Sequence, residues 1–174
     1  MSIVIISGAP GSGKTSLARR LSAGDARGVH IESDIFFRFL AHRLDPSLPA
    51  AHEQNSTVVR AYLAAAAEYS AGGYRVYMDG VIGPWLFPAI TSMVPRFQYV
   101  LLHATLGEVL SRARSRNTQP SATPAVVARM HEQFSVVVDT FRKHVIDTEG
   151  KSMEQVANEF LSRSIAGSYV FNGG

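Results

Sequence analysis

The chain has 174 residues, of which 46% are hydrophobic and 18% are charged, and it contains no cysteine. These values predict one folded domain with a sizeable core and exclude a disordered chain. The lack of cysteine excludes disulfides, thiolate zinc sites and thiol catalysis. The formal net charge of +3 comes from mostly scattered basic residues, which favours a small anionic ligand over nucleic acid as the partner.

Membrane and export signals are not found in the sequence. No apolar run approaches the roughly 18–20 residues that a membrane-spanning helix needs. The amino-terminal stretch has no basic segment and no small-residue cleavage site, so it does not resemble a signal peptide. We therefore expect no membrane association and a cytoplasmic location.

Strand and helix patterns alternate through the first half of the chain. The predicted elements, from apolar periodicity and breaker residues, are strand 3–7, helix 14–22, strand 29–32, helix 33–42, helix 51–71, strand 75–79 and helix 84–93. Ser33 is a plausible N-cap for the second helix. The long alanine-rich helix has one predicted buried stripe, formed by Val58, Val59, Tyr62, Ala66 and Tyr69.

The same alternation continues in the second half. The predicted elements are strand 98–103, a helix from Thr105 to about position 116, a helix opened by Thr123 and Pro124, strand 144–147 and a helix after Ser152. Capping boxes are expected at 105–108 and at 152–155. The last predicted helix should bury Met153, Val156, Phe160 and Leu161. The tail "GSYVFNGG" indicates no particular structure.

Five strands that alternate with helices predict an α/β fold, with a five-stranded parallel sheet covered by helices on both faces. No internal repeat or linker divides residues 1–174, which we expect to form one domain. In such folds ligands bind beyond the carboxyl ends of the strands.

The stretch "SGAPGSGKTS" follows the first predicted strand at such an end and contains the complete pattern G-x-x-x-x-G-K-[ST]. Glycines let backbone N–H groups converge on phosphate oxygens, the lysine reaches the β- and γ-phosphates, and the following hydroxyl can ligate Mg²⁺. A simple strand-to-helix turn would need neither the lysine nor the fixed spacing. The predicted nucleotide-binding residues are Gly8, Gly11, Ser12, Gly13, Lys14, Thr15 and Ser16.

The sequence resembles the P-loop small-molecule kinases, the group of shikimate kinase, gluconate kinase, chloramphenicol phosphotransferase and the zeta toxins, and also bacterial P-loop ATPase or kinase proteins of that group. The resemblance rests on the P-loop, on "ESD" after the second strand, on "YMDG" after the third and on an arginine-bearing helix after the fourth. It implies a three-layer P-loop NTPase fold, ATP and Mg²⁺ as cofactors, and a lid at about 112–124.

Two aspartates at predicted strand ends are candidate site residues. The resemblance implies that Asp34 contacts the acceptor hydroxyl or a metal-bound water, whereas the alternative is an acid that complements the dipole of its helix. Asp79 closes a Walker B-like pattern and is a predicted magnesium residue together with Thr15, with a turn-forming Asp-Gly as the alternative. The segment "GVIGPWLFP" that follows is more apolar than a polyol pocket needs.

Arginines cluster at positions 112, 114 and 116. On a helix, Arg112 and Arg116 share a face and Arg114 points away. The resemblance implies that Arg112 and Arg116 belong to the lid and contact either the transferring phosphoryl group or the adenine, as catalytic residues beside Lys14 and Asp34. The alternative is a solvated helix end, where arginine is common.

These residues predict an ATP-dependent kinase that moves the γ-phosphoryl group to a hydroxyl of a small molecule. Two alternatives remain open at this point. The chain could be a P-loop ATPase or nucleotide switch that acts through a protein partner, or a toxin-like or nucleic-acid-end kinase.

Overall fold

The computed structural model describes residues 2–46, 48–115 and 123–172. Arg116 and most of the predicted lid lie outside these residues. The strands are β1 Ile3–Ser7, β2 Gly28–Glu32, β3 Arg75–Gly80, β4 Arg96–His103, β5 Val145–Asp147 and β6 Val170–Asn172. The helices are α1 Lys14–Ala23, α2 Ser33–Arg38, α3 His52–Ala71, α4 Phe87–Met93, α5 Leu106–Arg114, α6 Pro124–Val138 and α7 Met153–Ile165. Short 3-10 turns cover Pro49–Ala51, Pro84–Leu86 and Arg142–His144.

The sheet has the strand order β2-β3-β1-β4-β5, and these five strands are parallel, as predicted. Strand β6 pairs antiparallel with the first residues of β4 and comes from the tail for which no structure was predicted. Because β1 lies between β3 and β4, the chain reverses its direction of winding beside β1. In sheets of this type, ligands bind in a crevice at such a reversal, which here lies at the carboxyl end of β1.

Alternate residues of the strands face two separate cores. Ile3 and Ile5 of β1 pack with α3, α4 and α6, while Val4 and Ile6 pack with α1 and α7. This period of two in a wholly apolar strand requires helices on both faces of the sheet. Within the described residues, no helix is both long enough and apolar enough to cross a membrane.

Helix α2 is shorter than predicted and begins differently. It spans Ser33–Arg38 rather than 33–42, and Glu32 rather than Ser33 occupies the N-cap position. The prediction of Ser33 as N-cap was therefore wrong. Ser33 is buried, and a Cβ on Gly80 would overlap its hydroxyl, so the serine packs against the end of β3 instead of capping its own helix.

The two predicted capping boxes have different outcomes. The box at Ser152 and Gln155 is formed, with both reciprocal hydrogen bonds present. The side chain of Thr105 accepts no cap hydrogen bond; its backbone N–H donates to Oε2 of Glu149 at 3.1 Å and its hydroxyl donates to Oε1 at 3.0 Å. Glu149, in the loop after β5, thus accepts the backbone N–H that the Glu108 carboxylate would accept in a capping box, and sequence patterns around position 105 do not reveal it. Tyr69 and Leu161, both predicted to be buried, are 47% and 43% exposed.

A buried hydrogen bond joins the sheet to α7. The hydroxyl of Ser164 donates to the Oε1 atom of Gln98 at 2.7 Å, and both side chains are buried in the core between β4 and α7.

We expect Ser164→Ala to lower the free energy of unfolding by about 1–3 kcal/mol, because the amide oxygen of Gln98 loses its donor in a dry environment. Ser162→Ala, on the exposed face of the same helix, is the matched control and should change stability by less than about 0.5 kcal/mol. Equal effects of the two substitutions in denaturant titrations would contradict the assignment.

Candidate functional site

The loop between β1 and α1 has a backbone that only glycine accommodates. Gly11 has φ +91°, and a Cβ at this position would lie 2.2 Å from the carbonyl oxygen of Val109. Gly13, with φ +100°, forms the N-cap of α1 and supplies no side-chain cap. The N–H groups of the first turn of α1 are therefore available to an anion, and the positive end of the helix dipole faces the same place.

Polar groups of the loop surround this helix end. Lys14 is buried, and its ammonium donates to the carbonyl oxygen of Ala9 at 3.0 Å. The hydroxyl of Ser12 is buried and has no hydrogen-bond partner among the described residues. A buried polar atom without a partner is rare in proteins and is satisfied when a polar ligand occupies the site. The loop thus fits a phosphate chain, with the ammonium of Lys14 within reach of its oxygens.

A cavity of about 290 Å³ adjoins the loop. It is lined by Gly11, Ser12, Gly13, Ser16, Arg112, Ser115, Thr148, Lys151, Met153 and Val156. Most of its wall is therefore built by the loop and by the ends of α5 and α7. Its position directly beside the loop is where a group attached to a bound phosphate chain would lie.

Arg112 is held in this wall by three contacts. Its guanidinium donates to the hydroxyl and to the carbonyl oxygen of Thr148, at 3.0 and 2.8 Å, and forms an ion pair of 2.8 Å with Glu108. Thr148 follows β5 and is buried beneath the loop. Arg112 therefore lies beside the loop and the cavity, while Arg114 is exposed on the other side of α5. The prediction that Arg112 is catalytic stays a prediction, and Arg116 lies outside the described residues.

Asp79 is the most enclosed carboxylate of the site. Its side chain is 3% exposed and accepts two short hydrogen bonds, from the Thr15 hydroxyl to Oδ2 at 2.6 Å and from His30 Nε2 to Oδ1 at 2.5 Å. An N–H group at Nε2 of His30 satisfies this contact, because a carboxylate oxygen accepts hydrogen bonds. Strand register explains the meeting, because Glu32 pairs with Asp79 and His30 lies two residues before Glu32 on the same face.

The oxygens of Thr15 and Asp79 form a donor set that fits a hard cation such as Mg²⁺. No group of three or more metal-ligating side chains occurs in the described parts of the chain. Magnesium in phosphate-binding sites is held by one or two protein oxygens plus phosphates and water, so two oxygens are sufficient. The arrangement fits a metal that arrives with a phosphate chain.

Asp34 lies in the first turn of α2, at the carboxyl end of the neighbouring strand. Desolvation by the surrounding protein raises its pKa; the charge of Lys14 lowers the pKa, and the negative charges of Asp79 and Glu32 raise it. Solvent still reaches the side chain, so the carboxylate is open to a ligand on one side. The pKa of the buried Tyr62 is raised by its own burial and by the charge of Asp34, so this phenol lies near the same carboxylate.

The structure thus brings Lys14, Thr15, Asp34 and Asp79 to one end of the sheet. Sequence reasoning missed His30 and gave Thr148 no definite role. The signal for His30 was its position two residues before Glu32 on a predicted strand, but only the pairing of β2 with β3 shows which partner it meets.

Comparisons with known proteins agree with this architecture. No curated protein matches the chain by sequence. Among solved structures, a gluconokinase from Sinorhizobium meliloti 1021 has a TM-score of 0.68 at 16% identity, over 96% of this chain and 93% of that one. Shikimate kinase from Acinetobacter baumannii, in complex with shikimate, has a TM-score of 0.63 at 13% identity, over 96% of this chain and 94% of that one.

The structure of the Pnkp1/Rnl/Hen1 RNA repair complex contains a chain with a TM-score of 0.63 at 17% identity. The match covers 79% of this chain but spans only 45% of the length of that chain. Identities this low establish likeness of fold alone, and they confirm at that level the resemblance to P-loop kinases. A family model described as an AAA domain matches residues 4–132, well over half of the sequence, and the chain therefore belongs to this AAA domain family of P-loop proteins.

Proposed function

We propose that the chain is a kinase that transfers the γ-phosphoryl group of ATP to a hydroxyl of a small molecule. The observation that carries this proposal is the hydrogen bond between Thr15 and the buried Asp79, next to the phosphate-binding loop and the accessible carboxylate of Asp34. Nucleotide binding alone does not require the carboxylate of Asp34. This second carboxylate is reached by solvent and has a raised pKa, which is typical of a group that takes part in a reaction.

The loop residues bind and orient the phosphates. The N–H groups around Gly11 and Gly13 contact the phosphate oxygens, and Lys14 leaves the carbonyl of Ala9 to contact the β- and γ-phosphates. Thr15 and Asp79 would hold a magnesium ion that arrives with the nucleotide, and that ion would supply positive charge to offset the negative charge that builds up during transfer. The Thr15 hydroxyl keeps its proton and donates it to Asp79, which leaves a lone pair on the Thr15 oxygen for the metal.

Asp34 orients the acceptor. The acceptor oxygen forms its bond to the γ-phosphorus while the bond from that phosphorus to the bridging oxygen breaks, and ADP leaves. The proton of the acceptor hydroxyl passes to the carboxylate of Asp34. A raised pKa suits this role because the protonated product is then less unfavourable than for an ordinary aspartate.

The cavity beside the loop is the proposed site of the nucleotide base. Arg112, fixed by Thr148 and Glu108, offers a planar cation at its wall. In this arrangement Arg112 contacts the nucleotide rather than the acceptor. Trp85 follows β3 in the chain, is half-exposed and packs on Phe134 with ring centroids 5.3 Å apart, and we assign it to the acceptor side. This apolar surface favours an acceptor with an apolar body over a simple polyol.

A lysine substitution tests nucleotide binding. Lys14→Ala removes a charge-assisted contact and should weaken ATP binding by about 10–100-fold. Lys143→Ala, which removes an exposed lysine in the 3-10 turn before β5 that lines neither the loop nor the cavity, is the matched control and should bind ATP as the parent does. Calorimetric titration measures both affinities. Parental ATP affinity in Lys14→Ala would refute the assignment of the loop.

A second substitution separates a kinase from an ATPase or nucleotide switch. Asp34→Asn should lower acceptor-dependent transfer by about 10²–10⁴-fold, the usual contribution of a positioned general base, with ATP affinity nearly unchanged. Asp139→Asn makes the same change in an exposed carboxylate paired with Arg142 at 2.7 Å, and as the control it should transfer like the parent. The assay is ADP release in the presence of hydroxylated metabolites, antibiotics and nucleotide sugars. Parental transfer in Asp34→Asn would remove Asp34 from the mechanism, and a parent chain that shows no acceptor-dependent ADP release would favour the ATPase or switch.

The raised pKa of Asp34 predicts two pH effects. Transfer should increase as pH rises through this pKa, because only the carboxylate accepts the proton, and Asp34→Asn should lack that increase.

The second effect concerns stability. The folded chain binds the proton of Asp34 more tightly than the unfolded chain, so stability falls as pH rises from the ordinary aspartate pKa through the raised one. At neutral pH, Asp34→Asn removes this penalty, and its melting temperature should equal or exceed that of the parent. A clearly lower melting temperature would mean that the carboxylate stabilises the fold.

A further inference from the structure

His30 contacts the candidate magnesium site without facing the phosphate-binding loop itself. It belongs to the edge strand β2, and its Nε2 atom lies 2.5 Å from Oδ1 of Asp79. We propose that His30 is a positioning residue that holds the Asp79 carboxylate, and through it the Thr15 hydroxyl, in the orientation required by magnesium. The inference rests on the nucleotide-binding part of the proposed function and not on the identity of the acceptor.

The carboxylate needs such a partner because its end rotates easily. The torsion that sets the plane of an aspartate carboxylate is broad, so one hydrogen bond leaves the group free to turn about that bond. Here each oxygen receives its own donor, His30 on Oδ1 and Thr15 on Oδ2. Two donors on opposite oxygens define the plane. Each oxygen keeps further acceptor capacity, which is directed to water bound around a metal.

The surroundings strengthen this contact. The side chains of His30 and Asp79 are 18% and 3% exposed, so little water competes for the hydrogen bond. Helix α1 covers the same face of the sheet and supplies both Thr15 and Arg19, which lie four residues apart and contact Asp79 and Glu32. These contacts form a row of polar side chains between α1 and the ends of β2 and β3. His30 is the member of this row that lies two residues before the end of β2.

A purely structural role is the competing explanation. His30 could simply fasten β2 to β3, in which case its loss would lower stability and affect all ligands alike. A positioning role predicts instead a loss that is confined to the magnesium-dependent part of nucleotide binding. Residues that orient metal ligands through hydrogen bonds contribute about 10–100-fold to metal affinity.

The experiment measures the dissociation constant of a non-hydrolysable ATP analogue by calorimetry, with magnesium and with EDTA, for the parent chain and three variants. His30→Leu keeps the bulk and removes the donor. His30→Gln keeps an N–H group that reaches the place of Nε2. His30→Asn keeps a polar amide that is too short to reach Asp79, and it serves if the leucine variant does not fold.

We expect the ratio of the two dissociation constants, EDTA over magnesium, to fall by about tenfold or more in His30→Leu and His30→Asn. His30→Gln should retain most of the parental ratio, and all variants should bind the analogue in EDTA as the parent does. A parental ratio in His30→Leu would overturn the inference, as would an equal weakening of both constants or a glutamine variant that behaves like leucine. A parent chain whose binding ignores magnesium would overturn it too.

The outcome is separable from the fate of the proposed kinase activity. A magnesium effect that depends on His30 in a chain that transfers phosphate to no acceptor would leave this inference intact and refute the kinase. The opposite result is transfer that requires Asp34 together with parental magnesium dependence in His30→Leu. It would support the kinase and refute the inference about His30.

Discussion

The buried carboxylate of Asp79 is the constraint on which the site depends. A charge that is 3% exposed is stable only when hydrogen bonds replace its water, and here Thr15 and His30 provide them. Those two partners come from α1 and β2, so one side chain ties two strands and the helix behind the phosphate-binding loop together.

Charges are distributed unevenly around this anchor. Lys14, the open end of α1 and Arg112 make the proposed nucleotide side positive, whereas Asp34 and Glu32 make the proposed acceptor side negative. A polyanionic nucleotide and a hydroxyl that must lose a proton have opposite electrostatic needs, and the two halves of the cleft suit them separately. Strand order creates this division, because β1 and the loop lie between β3 with Asp79 on one side and β4 on the other.

Much of this could be predicted from local patterns. The apolar strand, the glycine spacing and the lysine define the loop because backbone geometry and phosphate chemistry act over a few neighbouring residues. The serine capping box before α7 was predicted for the same reason. Predictions failed where a distant group intervened. Glu149 takes the hydroxyl of Thr105, the end of β3 buries Ser33, and the tail adds β6 to the free edge of β4.

The sequence by itself determined the alternation of strands and helices, the phosphate-binding loop and the candidate carboxylates, since each depends on contacts within a few residues. Only the tertiary structure decided which of these groups meet. Asp79 and Thr15 are separated by 64 positions and His30 and Asp79 by 49, and their hydrogen bonds exist because β2 and β3 pair in one register with α1 laid across them. A shift of one residue in that register would turn His30 to the opposite face of the sheet.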